Sequence, residues 1–233
     1  MAWKTLWQDV LDLIYPPLCP ACNHDLRPAG LMTCLRCFSQ LPWFSNCDLK
    51  DNPITDRLAG RLLLSDGFAL LYFVKEGLSQ QLIHQIKYKG DRATALAVGQ
   101  WLGHQLVKDL KTACPWDIIV PVPLHKRKLR HRGFNQSEVF GAGLAEVLGI
   151  PLTADVLHRP RAGQSQASQG QESRFATVFQ TFELQRPELI RGKHVLLVDD
   201  VLTTGATLES CGHLLQQHGA AALSLGVIAV TQI

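Results

Sequence analysis

Residues 193–208 read KHVLLVDDVLTTGATL: an apolar, β-branched run delivers two adjacent carboxylates, Asp199 and Asp200, and a threonine/glycine loop then opens into a helical pattern. In open α/β sheets, ligands bind at the C-terminal edge of the strands. At such a loop-to-helix junction, free backbone N–H groups around Thr203, Thr204, Gly205, Ala206 and Thr207, with the positive end of the helix dipole, suit a phosphate. The three threonine hydroxyls add donors, and Gly205 permits close backbone approach. Asp199 and Asp200 suit vicinal hydroxyls, held directly or through Mg2+. A phosphate and a diol that close together describe a ribose 5-phosphate. The plain alternative is a solvated strand end. A receiver-domain phosphoacceptor strand also ends in paired aspartates, but the 33 residues after Asp200 are expected to be too few for the rest of such a domain.

A basic run, HKRKLRHR over residues 125–132, holds five of the chain's 23 lysine and arginine residues. It follows an apolar segment ending at Pro123, which brings Leu124, His125, Lys126, Arg127, Arg130 and Arg132 to the sheet edge of the acidic pair. Three uses stay open. A pyrophosphate-binding loop would use one or two of these cations to stabilise a leaving group. A nucleic-acid patch would set most of them against backbone phosphates. A solvated charge run would use none. Upstream, KYKGDR over 87–92 ends an amphipathic pattern at a glycine turn. Lys87 and Lys89 there either cap the helix or reach the ligand site.

The cysteines carry separate chemistry. Cys19-Pro-Ala-Cys22 and Cys34-Leu-Arg-Cys37 are separated by 11 residues. Two such knuckles complete a tetrahedral S4 site with no open position, which predicts one structural zinc. His24 is an alternative fourth ligand. A thioredoxin-like redox motif fits poorly, since there are two pairs and no flanking βαβ unit. Cys114 and Cys211 lie among apolar neighbours and read as buried thiols. Cys47 has no assigned role.

Elements must place these groups. Apolar runs over 68–74, 118–123, 195–198 and 223–230 alternate with helical patterns near 78–88, 93–110, 136–148 and 206–218. Short β-branched strands between helices predict a parallel sheet covered on both faces. Ahead of them, Trp3, Leu6, Trp7, Val10, Leu11 and Ile14 form one stripe of an amphipathic helix over 1–14, stopped by Pro16 and Pro17. Residues 159–174, rich in Gln, Ser and Gly, read as a long functional or mobile loop. At 233 residues, 46% apolar and 18% charged, the chain is long and apolar enough to bury a core. No window approaches the apolar length of a bilayer span, and no secretory leader is read at the N-terminus. A cytoplasmic location is expected. A net charge of +3 is too mild to name a polyanionic partner, so the position of the charge matters more than its sum.

Residues 195–208 resemble the phosphoribosyl pyrophosphate (PRPP) motif of type I phosphoribosyltransferases. IIVPVPL over 118–124 followed by RGFNQS over 132–137 is similar to the strand, pyrophosphate loop and helix of the amidophosphoribosyltransferase branch. Together with the CxxC pairs, IHQIKYKG over 83–90 and PVPLH over 121–125, nearly the whole chain resembles the ComF family, whose members serve DNA uptake in natural transformation. The resemblance implies an α/β, type I phosphoribosyltransferase-like domain over 66–233, a linker over 51–65, and an N-terminal helix and zinc ribbon over 1–50. It implies PRPP with Mg2+ at Asp199 and Asp200, the 5-phosphate at 203–207, the pyrophosphate at 124–132, and a flexible loop that includes Arg161, Gln166 and Arg174. Some relatives carry four CxxC pairs and two zincs; this chain has only Cys47 beyond its first four, so one zinc is expected. Purine-salvage relatives place an acid at the position of Thr203, and a threonine cannot do that acid/base work, so purine salvage is not the expected activity. Glutamine-dependent amination needs a glutaminase domain that the chain is not expected to contain. Two functions stay open: phosphoribosyl transfer, or a non-catalytic nucleotide-sensing module that binds single-stranded DNA. Single-stranded DNA and a competence helicase are the expected macromolecular partners, and the acceptor, the catalytic residues and the oligomeric state are left unassigned.

Overall fold

A computed structural model describes residues 18–28, 31–109, 114–160 and 182–232. The helix expected over 1–14 and the loop positions Arg161, Gln166 and Arg174 lie outside the described residues.

Four strands, β1 (Asp66–Phe73), β2 (Ile118–Pro121), β5 (His194–Leu202) and β6 (Ala222–Thr231), form one all-parallel sheet in the order β1-β6-β5-β2. A small antiparallel pair, β3 (Leu157–His158) with β4 (Glu183–Leu184), stands apart. Because successive strand residues point to opposite faces, a sheet covered on both sides needs apolar residues throughout. In β5, Val195 and Leu197 join one core while Leu196 and Val198 join the other, all fully buried.

One core lies under α2 (Pro53–Leu58) and α7 (Ala206–Gln217). The other lies under α3 (Leu78–Tyr88), α4 (Arg92–Asp109) and α6 (Gln136–Leu148). Helices α4 and α6 touch through glycines: a Cβ at Gly99 would stand 2.1 Å from the Phe140 carbonyl oxygen. The parallel sheet with helices on both faces is therefore as expected.

Both sheet edges are covered, which removes the exposed ladder that invites aggregation. Phe44 N–H donates to the Leu70 carbonyl and Tyr72 N–H to Pro42, so the chain leaving the cysteine region lies along β1. Asn46 pairs with Ala69 as a strand residue would, its amide donating to the carbonyl at 2.8 Å and its oxygen accepting from the N–H at 3.2 Å. At the other edge, Ile119 and Thr153 exchange bonds with Pro151 and β2.

Two segments differ from expectation. Within 51–65, expected as a linker, α2 forms: Asn52 accepts from Ile54 N–H at 2.9 Å and Thr55 returns the bond, a capping box ahead of Pro53. Ile54, Leu58 and Leu62 from this stretch are buried in the α7-side core. The basic run, expected as a loop, is a helix, α5 (Lys126–Arg132), closed by Gly133 at φ +80°. The remaining helix, α1 (Leu35–Gln40), begins at the second cysteine knuckle.

Candidate functional site

Strand β5 runs four residues beyond Val198, where its neighbour β2 ends at Pro121. That overhang carries Asp199 and Asp200. Asp199 lines a small concavity together with Val201 and residues 202–208. Its carboxylate accepts at 2.8 Å from the Ser137 hydroxyl, in the first turn of α6, and at 2.8 Å from the Asp200 N–H. Burial, with the neighbouring Asp200 charge second, pushes the Asp199 carboxyl up to about 7, against the lowering pull of those two donors and of Lys87. Asp200 points elsewhere and pairs with Lys87 Nζ of α3 at 2.9 Å. Lys87 thus reaches the acidic pair at the end of β5. Lys89 is exposed at the helix end.

Thr203, Thr204 and Gly205 form the turn between β5 and α7, and Ala206 and Thr207 open the helix. No backbone carbonyl among the described residues accepts from the N–H groups of residues 203–208. Residues 203–208 border the same concavity as Asp199, at the N-terminus of α7. Gly205 sits at φ +84°, where a side chain is strained, and a Cβ there would stand 2.7 Å from Leu58 Cδ2. Close packing against α2 is thus a second reason for glycine, beside the approach of a ligand.

The basic residues separate into two groups. Arg132 is held within the protein: it donates to Gln136 at 2.9 Å and its guanidinium lies 5.2 Å from the Tyr88 ring centroid. Leu124 and His125 are half-buried, and His125 caps α5 by accepting from the Arg127 N–H at 3.2 Å. Lys126, Arg127, Lys128 and Arg130 are exposed, and no carboxylate among the described residues pairs with them.

Sequence reasoning passes over three further residues at the site. Ser137 lies inside the RGFNQS string, but nothing in its type announces a bond to Asp199. Arg57 and Arg61 lie in the segment expected as a linker. Arg57 donates to the carbonyl of Thr203 at 2.7 Å, to that of Leu202 at 3.3 Å, to the Thr231 hydroxyl at 2.7 Å and to the Thr231 carbonyl. Arg61 donates to the Thr204 carbonyl at 3.0 Å and pairs with Glu209. The Asn52-Pro53 helix start, with arginines four residues apart, is the signal that would have found them.

At the N-terminal end, the Sγ atoms of Cys19, Cys22, Cys34 and Cys37 all lie within 4.8 Å of one another. A tetrahedral zinc–thiolate centre has bonds of about 2.3 Å and hence edges of roughly 3.8 Å; Cys22 and Cys34 stand 3.9 Å apart. The Cys34 N–H points at Cys19 Sγ and the Cys37 N–H at Cys34 Sγ, bonds that favour thiolates. Asp25 and His24 N–H groups pull the Cys22 thiol down to about 7, while burial pushes Cys34 and Cys37 up. This donor set fits a soft divalent ion. His24 is outside the four-thiol cluster. Cys211 is fully buried as expected, whereas Cys114 is only half-buried, and Cys47 is exposed beside the Ser45 hydroxyl.

The phosphoribosyl transferase domain family matches residues 135–231, the stretch from the start of α6 through β6. The DNA utilization protein YhgH of Salmonella typhi is 34% identical over 146 residues, which cover 62% of this chain and 63% of that protein. The match thus spans less than two thirds of that relative's length. Competence protein F of Haemophilus influenzae is 26% identical over 210 residues, covering 87% of this chain and 85% of that protein. The chain is thus similar to a competence protein over most of its length and to DNA utilization proteins over 62% of it. Among solved structures, the glutamine PRPP amidotransferase of B. subtilis, complexed with ADP and GMP, is 20% identical with a TM-score of 0.41, over 58% of this chain and 26% of that one. This chain joins a stretch that matches the phosphoribosyl transferase domain family to a four-cysteine cluster. No helix among its described residues is long and apolar enough to cross a membrane.

Proposed function

We propose that this chain is a ComF-type protein that binds PRPP or a related phosphoribosyl ligand at the β5–α7 junction and works in the handling of incoming DNA. One observation carries the reading: residues 203–208, whose N–H groups have no backbone acceptor among the described residues, line one concavity with Asp199. Hydrogen-bond donors at a helix N-terminus recognise a phosphate, and a carboxylate beside them recognises hydroxyls. The 5-phosphate would rest on Thr203–Thr207, and Asp199 would take the ribose hydroxyls. Asp200 joins them once Lys87 yields, and the released ammonium is then free to meet a phosphate. Hard carboxylate oxygens suit Mg2+, which would supply charge neutralisation for a pyrophosphate group. The exposed cations of α5 would meet that pyrophosphate or a strand of nucleic acid, and the four-thiol cluster would hold one structural zinc. The names of the relatives, a competence protein and DNA utilization proteins, support the DNA context.

Calorimetric titration with PRPP and Mg2+, followed by an assay for released pyrophosphate, tests the reading. Micromolar-range binding with pyrophosphate release on adding an acceptor supports a transferase. Binding with no release supports a nucleotide-sensing module. Absence of binding overturns the proposal.

A further inference from the structure

A loop that binds phosphate through N–H groups must send its carbonyl oxygens elsewhere, because they repel the same anion. In a planar trans peptide, the carbonyl of one residue and the N–H of the next point in opposite directions. The chain has no cis peptide bonds among the described residues. Whatever grips the carbonyls of Leu202, Thr203 and Thr204 therefore also aims the N–H groups of Thr203, Thr204 and Gly205.

Those three carbonyls go to two side chains, one from α2 and one from the turn that follows it: Arg57 takes Leu202 at 3.3 Å and Thr203 at 2.7 Å, and Arg61 takes Thr204 at 3.0 Å. Neither guanidinium is loose. Arg57 is also tied to the end of β6 through Thr231, and Arg61 to α7 through Glu209. Below them, Ile54 and Leu58 are fully buried, so α2 itself is anchored in the core. Arg61 is neutralised by Glu209, whereas no carboxylate among the described residues pairs with Arg57. Its charge therefore stands uncancelled behind the loop.

We infer that Arg57 and Arg61 are positioning residues for the β5–α7 loop: they hold three consecutive carbonyls back and so preset the N–H donors that receive the ligand's phosphate. The inference rests on the phosphoribosyl reading of that site. It gives the stretch between the cysteine region and β1 a part in ligand recognition.

Two measurements test it. In the ligand-free protein, Arg57→Gln should move or broaden the amide resonances of Thr203, Thr204 and Gly205 and leave those of β3 and β4 in place. Ribose 5-phosphate is then titrated into wild type, Arg57→Gln, Arg61→Gln and Arg57→Lys. Losing the grip on the loop is expected to weaken affinity at least about tenfold in Arg57→Gln, the scale of one or two hydrogen bonds to a charged group, with a cooperative melt retained. Arg57→Lys should not restore it, since one ammonium lacks the fork that spans Thr203 and Thr231. Arg186→Gln removes the same charge at a distant pair with Asp155 and Glu188 and should bind as wild type. Should Arg57→Gln fail to fold, Arg61→Gln, which releases only the Thr204 carbonyl from the loop, carries the same expectation at smaller size. Unchanged amide resonances with unchanged affinity, full rescue by Arg57→Lys, or an equal loss in Arg186→Gln would each overturn the inference. If wild type itself fails to bind ribose 5-phosphate, the phosphoribosyl reading falls, and the amide measurement still decides whether the arginines set the loop.

Discussion

Asp199 sits between a neighbouring charge and burial, which oppose its ionisation, and the Ser137 hydroxyl and Asp200 N–H, which favour it. With its carboxyl near 7 when folded and near the ordinary value of about 4 when unfolded, the folded chain holds a proton between those limits that the unfolded chain has released. Stability attributable to this group is accordingly greatest at low pH, falls as pH rises through that window, and is lowest above 7. Asp199→Asn should therefore raise Tm more at pH 8 than at pH 5 in metal-free buffer, by about 2–4 °C for each kcal/mol of relieved cost. Equal shifts at both values would contradict this origin of the raised pKa. At the loop, Thr204→Val removes one hydroxyl and leaves the backbone donors, so ribose 5-phosphate affinity should fall only about fivefold. Both residues are legible as candidate site residues from the string KHVLLVDDVLTTGATL alone. The lysine on Asp200 is legible only as one of two readings, because helix capping and ligand binding ask for the same residue type at the same place.

At the scale of elements, apolar periodicity marks α3, α6 and the four sheet strands closely, because each buries a face against the sheet. It misses α5, whose seven residues are nearly all cationic and bury none, and α2, whose single turn and a half is too short for a period to show. Strand β5 extends past its apolar run because β6 continues to pair with it, Asp199 against Val227 and Leu202 against Val230. The exposed face of α5 yields a separating experiment. Replacing Lys126, Arg127, Lys128 and Arg130 together should weaken single-stranded DNA binding and flatten its dependence on salt if they meet nucleic-acid phosphates. If they serve the pyrophosphate instead, PRPP affinity falls while ribose 5-phosphate affinity holds. No change in either would leave α5 as a solvated run. For the cysteine knuckles, Cys34→Ser should lower zinc from one per chain and unfold residues 18–37, read by elemental analysis and proteolysis, because few apolar side chains there can substitute for the metal. A zinc content of two, or one unaffected by Cys34→Ser, would contradict the single S4 site.

For the whole molecule, the segment between the cysteines and β1 serves as structure rather than as a tether: residues 42–46 seal the sheet edge, and α2 reaches across to the loop at the far end of β5. Helix α3 runs from Leu78, packed against the four-thiol cluster, to Lys87 and Tyr88, which meet Asp200 and Arg132 of α5. Central to this account is a phosphoribosyl ligand held between Asp199, Asp200 and the 203–207 loop. Titrating PRPP and Mg2+ into wild type and into the Asp199→Asn/Asp200→Asn double variant tests it most directly, with thermal melting recorded on both. The account predicts heat of binding in wild type only and a preserved cooperative transition in the double variant. Normal PRPP binding by the double variant would contradict it, as would loss of its thermal transition, which would make the acidic pair structural.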